Sequence, residues 1–123
     1  PLILPTGPHG LRSTLDAAFL RAKLTPLVAL EVDSLAMLMD AVLAGMGATL
    51  QPWAAVARQA DAKQSLHMAR ITDHQVKRSN WLCGLSEDEL SPAALAARVV
   101  LADCARSLVS SGAWQGASLS PQA

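Results

Sequence analysis

Two stretches of this 123-residue chain place polar side chains where backbone N–H groups should lack intrahelical partners. They are Thr6-Gly7-Pro8-His9-Gly10 and Asp33-Ser34-Leu35, each following an apolar run and preceding a helical pattern. The first N–H groups of a helix point outward and the helix dipole favours negative charge there, so Thr6, His9 and Ser34 suit a small carboxylate or similar anion. Plain helix capping competes with that reading and is favoured on spacing alone. Asp33 argues against an anion unless its side chain turns back to cap its own helix. Trp53 suits either a cleft wall or a packed core or interface.

Other motifs carry less. Gly45-Met46-Gly47 follows a helical pattern and precedes a strand-like one, the wrong order for a dinucleotide loop, so it reads as a helix stop. Thr6–Gly10 has two glycines but no Lys-Ser/Thr pair and is not a phosphate loop. No G-x-S-x-G elbow is present. His9, His67 and His74 lack zinc-site spacing. Glu87-Asp88-Glu89 reads as a solvated acidic turn before a helix, and Lys77-Arg78 is a lone basic pair in a loop. No metal site, cofactor or nucleophile–base pair is expected, and the chain does not read as an enzyme.

The elements that must hold these residues alternate. Pro1–Pro5, Leu27–Val32 and Ala48–Gln51 are short apolar runs that read as buried strands. A helix beginning at Gly7-Pro8 follows the first, with Leu11, Leu15, Ala18, Phe19 and Ala22 on one face. A second, N-capped at Asp33-Ser34, carries Leu35, Leu38, Met39, Val42 and Leu43. Trp53–Ala62 reads as a short helix, Leu66–Ile71 and Asn80–Leu85 as strands, and residues 72–79 as a polar loop. Ser91-Pro92 starts a last helix with Leu95, Val99, Ala102, Ala105, Arg106 and Val109 on one, mainly apolar, side. The order β-α-β-α-β-α-β-β-α predicts an α/β fold with a mostly parallel sheet flanked by helices. Ligands of such sheets bind outside the strands' carboxyl ends, here at residues 5–9, 32–34 and 51–53.

Composition narrows the partners. Half the residues (51%) are apolar, and ten basic side chains balance ten acidic ones. A neutral chain lacks the electrostatic footprint of a nucleic-acid or anionic-membrane binder. The apolar runs are too short to span a bilayer. Cys83 and Cys104 show no disulfide or CxxC pattern and read as buried free thiols in a reducing cytoplasm. Opening on Pro1, the chain reads as a fragment or processed product.

Three segments together resemble a known family: PLILPTGPHGLRSTLDAAF (1–19), EVDSLAMLMDAVLAGMGATLQP (31–52) and LSPAALAARVVLADCARSLVSSGAW (90–114). The middle one, with Val42, Gly45, Gly47 and Pro52 in V-x-x-G-x-G order, is the most telling. The chain resembles the C-terminal part of the effector-binding domain of a LysR-type transcriptional regulator. The resemblance implies a type II periplasmic-binding-protein-like fold, two α/β subdomains around an effector cleft. It places 1–79 in the second subdomain, 80–111 as a crossover strand and terminal helix of the first, and 112–123 as a loosely ordered tail. It implies a cytoplasmic homo-oligomer that senses a small, anionic metabolite and meets DNA only through an N-terminal domain absent from this chain. Cleft-facing residues carried over by position are Pro5, Thr6, Val32, Asp33, Ala48, Thr49 and Pro52. They join His9, Ser34 and Trp53 from the reading above. Thr6 and Thr49 are the expected hydrogen-bonding groups, Val32 and Trp53 the apolar wall. The competing reading is a periplasmic solute-binding protein, which shares the fold. With only one cleft wall present, the apolar faces at Trp81 and along 95–109 are expected to be exposed and to invite self-association.

Overall fold

The computed structural model describes residues 1–57 and 62–120. They form two compact units, Pro1–Arg78 and Ser79–Ala123. In the N-terminal unit, strand β1 (Leu2–Leu4) pairs in parallel with β2 (Val28–Glu31), and helix α1 (Gly10–Arg21) connects them. Helix α2 (Leu35–Leu43) follows β2, and two short helices, α3 (Trp53–Val56) and α4 (Ala62–Ser65), come after it. The C-terminal unit has a 3₁₀ turn (Glu87–Glu89) and helix α5 (Pro92–Ser110).

Each face of the small sheet carries its own helix. Leu4 on one face meets Leu11 and Leu15 of α1, with Leu2, Phe19, Val28, Leu50 and Val76 around them. Ile3 on the other face meets Leu38, Met39 and Ala41 of α2, with Leu30, Val32, Val42 and Leu66 around them. Alternation along β1 produces this division, because neighbouring strand residues point to opposite faces. On β2 it needs a bulge: Leu2 pairs with Val28 but Ile3 pairs with Leu30, so Ala29 is the extra residue and Val28 and Leu30 serve different faces.

Several boundaries differ from the sequence expectation. Helix α1 starts at Gly10, with His9 rather than Pro8 at its entry. The His9 N–H donates to the Thr6 carbonyl (3.1 Å), closing a turn that holds Pro8 outside the helix. The strand expected at Ala48–Gln51 is reduced to one parallel bridge between Leu2 and Ala48. Ile3 N–H donates to Ala48 O (2.8 Å) and Ala48 N–H to Pro1 O (3.1 Å). The next donor along β1 on that side would be Pro5, which has no N–H, so the ladder stops. Leu66–Ile71 is not a strand; Leu66 covers the α2 core from an irregular segment. Asn80–Leu85 is not a strand either, since no other strand occurs among the described residues of its unit. The helix expected over 53–62 is present at 53–56, and residues 58–61 lie outside the described residues.

Helix ends follow capping chemistry. Ser34 Oγ accepts from Met37 N–H (3.5 Å) and Ser91 Oγ from Ala94 N–H (3.2 Å), with Pro92 opening α5. At the end of α2, Gly45 adopts φ +75°, its N–H reaches Val42 O, and Met46 N–H reaches Ala41 O. This is a Schellman closure. Both cysteines are free thiols and exposed, not buried as expected, because they lie in the unit that has no buried core among its described residues.

Candidate functional site

The carboxyl ends of β1 and β2 lie side by side and are joined by one side-chain bridge. Parallel pairing sets Leu4 opposite Glu31, and Val32 N–H donates to Leu4 O (2.9 Å). The next residues outward, Thr6 and Asp33, therefore face each other across the gap between the loops. Thr6 N–H donates to Asp33 Oδ1 (2.9 Å), and the Thr6 hydroxyl lies 2.9 and 2.8 Å from Oδ1 and Oδ2. The Thr6 N–H bond and then the hydroxyl bond hold the Asp33 carboxyl below its ordinary pKa against an opposing desolvation, with the charge of His9 adding the least. Asp33 does not turn back to cap α2; Ser34 does that.

The donors an anion would use at these entries are partly taken. Asp33 holds the Thr6 N–H, His9 Nδ1 accepts from Leu11 N–H (3.1 Å), and Ser34 holds the Met37 N–H. The polar group at this edge is thus a carboxylate with lone pairs still open to solvent.

The remaining expected residues fall into two groups. Pro5 is buried at the end of β1, and Val32 packs on the α2 core. Ala48 bridges Leu2 on the other side of β1. Half-buried Thr49 accepts from Gln51 Nε2 (3.4 Å), while Pro52 and Trp53 are exposed at the start of α3. Among the described residues no hydrogen bond joins 48–53 to Thr6, His9, Asp33 or Ser34. The structure thus links Thr6 to His9 and Asp33 by hydrogen bonds, and Thr49, Pro52 and Trp53 are not part of that network among the described residues.

One residue at this edge escaped the sequence reading. Arg12 of α1 donates from Nε to Asp16 Oδ1 (2.8 Å), from Nη1 to Pro5 O (3.0 Å), and from Nη1 to Glu31 Oε1. Its side chain is only 16% exposed. Asp16 first and Glu31 second raise its pKa further above the ordinary arginine value. The Arg12–Asp16 spacing of four residues was the available signal, since such pairs adjoin on a helix. A groove of about 230 Å³ elsewhere, lined by Leu82, Cys83, Leu90, Ala94 and Leu101 among others, contains none of the expected residues.

Among the described residues, no group of three or more His, Cys, Asp or Glu could hold a metal ion. No helix among them is long and apolar enough to cross a membrane.

A parallel sheet with a helix on each face and polar loops at its carboxyl edge defines an open α/β domain. The sequence pattern of the LysR substrate binding domain matches residues 1–105, and the chain belongs to that family. Its fold class is accordingly the type II periplasmic-binding-protein-like α/β fold, and the family's domains bind small-molecule effectors in transcriptional regulators. Searches of curated proteins and of solved structures find no match.

Proposed function

We propose that this chain is the effector-sensing part of a cytoplasmic LysR-type regulator and that a small polar metabolite binds at the carboxyl edge of β1 and β2. The observation that carries this reading is the Thr6–Asp33 bridge. It is the point where the two loops of a substrate-binding-family domain meet, placed where open α/β sheets bind ligands. Thr6, His9, Asp33 and Ser34 would contact the ligand first, with Pro5 and Val32 behind them and Ala48, Thr49, Pro52 and Trp53 extending the surface.

The Thr6–Asp33 bridge supports a ligand of different charge from the one expected. An anion at Thr6 would have to displace Asp33 and sit beside its negative charge. We therefore infer a ligand that offers Asp33 a hydrogen-bond donor, such as an amino or hydroxyl group. Binding would work by selection: only a ligand with unequal affinity for two arrangements of the regulator shifts their balance. The role is non-enzymatic. DNA contact belongs to another domain of a homo-oligomeric regulator. Residues 80–111 belong to the first subdomain, a reading supported by the unpaired apolar run at 80–85 and by α5, which has no buried residue.

The test is a thermal-unfolding screen of the chain against small metabolites with matched skeletons that carry amino, hydroxyl or carboxylate groups. A true ligand raises the midpoint progressively, by the equivalent of about 2.7 kcal/mol at a hundredfold excess over Kd. Asp33→Asn and Thr6→Val should abolish that rise. A rise unchanged in both variants places the ligand elsewhere, and no rise with any compound removes the sensing reading for this chain.

A further inference from the structure

We propose that Arg12 is a positioning residue that orients the Pro5–Thr6 peptide and thereby sets the Thr6–Asp33 bridge. Its bearing on sensing rests on the reading of that bridge as the effector edge.

The placement of Arg12 is electrostatically unfavourable. Arg12 lies in the first turn of α1, whose entry is His9, and no acidic residue shares that turn. A cation there opposes the helix dipole. The contacts that offset this are not to solvent. One guanidinium spans three segments: its own helix at Asp16, the loop after β1 at the Pro5 carbonyl, and the last residue of β2 at Glu31. A planar fork fixes the directions of its donors, so the three partners cannot move independently while all three bonds hold.

The Pro5 carbonyl matters most. It and the Thr6 N–H belong to the same peptide unit, which is planar and rigid. Arg12 Nη1 holds the carbonyl end at 3.0 Å, and Asp33 Oδ1 holds the N–H end at 2.9 Å. The plane is gripped from both sides, and the two hydrogen bonds polarise each other through it. The Pro5 ring also restricts the preceding torsion, leaving little slack between β1 and that plane. Glu31, the third anchor, lies two residues before Asp33 on the same strand end. Arg12 therefore holds both sides of the bridge without touching Thr6 or Asp33.

The experiment is NMR on the 123-residue chain, following Thr6 amide exchange and the Asp33 carboxyl titration in wild type, Arg12→Lys and Glu31→Gln. Arg12→Lys keeps the charge and loses the fork. Positioning predicts that Thr6 amide exchange accelerates by about tenfold or more, as a local opening rather than global unfolding. It also predicts that Asp33 titrates at higher pH, towards its position in Thr6→Val. A merely structural Arg12 would lower the melting midpoint and leave both readouts at wild-type values, which would overturn the proposal. If Arg12→Lys fails to fold, Glu31→Gln decides: faster Thr6 exchange supports positioning, and unchanged exchange refutes it. No effector enters the measurement, so a failed metabolite screen and a failed Arg12 test are separate results.

Discussion

Thr6 and Asp33 are 27 residues apart in sequence, and their bridge makes the carboxylate's charge part of the folded state. The Asp33 carboxyl lies below its ordinary pKa because Thr6 N–H and then Thr6 Oγ–H donate to its charged form, with His9 adding to the shift. A folded-state pKa below the unfolded one means that the carboxylate binds its proton less readily when folded. Its contribution is complete above the unfolded carboxyl pKa, near ~3.9, and disappears as pH falls through the lower folded value. Acid unfolding of wild type should therefore include a component in that window. Thr6→Val should weaken it and Asp33→Asn remove it, as read from urea midpoints taken at pH steps between neutrality and strong acid. A wild-type slope retained in Asp33→Asn would assign the acid sensitivity to another group. Asp73 is the natural comparison, since its pKa is also lowered, chiefly by Gln75 N–H and secondarily by Arg21. Helix entries were legible from residue type at both loops. The bridge was not, because local spacing reports a cap and says nothing about which side chain across the sheet will take a donor.

Glycines 45 and 47 show the same limit for whole elements. Gly45 was readable as a helix stop, and it adopts the left-handed conformation that a Schellman closure requires. Gly47 does different work: a Cβ there would lie 2.8 Å from the Pro1 carbonyl oxygen and 3.3 Å from Ile3 Cγ1. The chain after α2 can run against β1 only because that side chain is missing. Gly47→Ala must push backbone away from backbone, and it should cost about 1–3 kcal/mol by denaturant midpoint. Gly45→Ala meets no neighbour and is opposed by conformation alone. A loss confined to Gly45→Ala would show that the close approach relaxes freely. The β-α-β-α order and the two helix stripes were legible because period and punctuation agree there. Leu66–Ile71 and Asn80–Leu85 misled because an apolar run reports burial demand, whereas a strand also needs a partner for its backbone.

Across the molecule, burial is divided unequally. Among the described residues, the buried core side chains Ile3, Leu4, Leu11, Leu15, Leu38, Met39 and Ala41 all belong to the N-terminal unit. Helix α5 is longer than any of the helices in that unit, yet it buries none of its 19 residues. Val99, Val100 and Leu101 are each more than half exposed, and Trp81 is 82% exposed. Helices draw most of their stability from packing an apolar face, and local opening is easiest where such contacts are few. Amide exchange should therefore rank β1 and α2 as most protected and α5 as much less so, despite its cap at Ser91. The two units should also differ under truncation. Leu38→Ala, at a site 1% exposed, should cost about 2–5 kcal/mol. Leu101→Ala, at 56% exposure, should stay within about 0.5 kcal/mol. If α5 amides proved as protected as those of β1, and Leu101→Ala as costly as Leu38→Ala, the α5 face would be covered in solution. Its stability would then belong to an assembly, and the expected oligomer would be the first place to look.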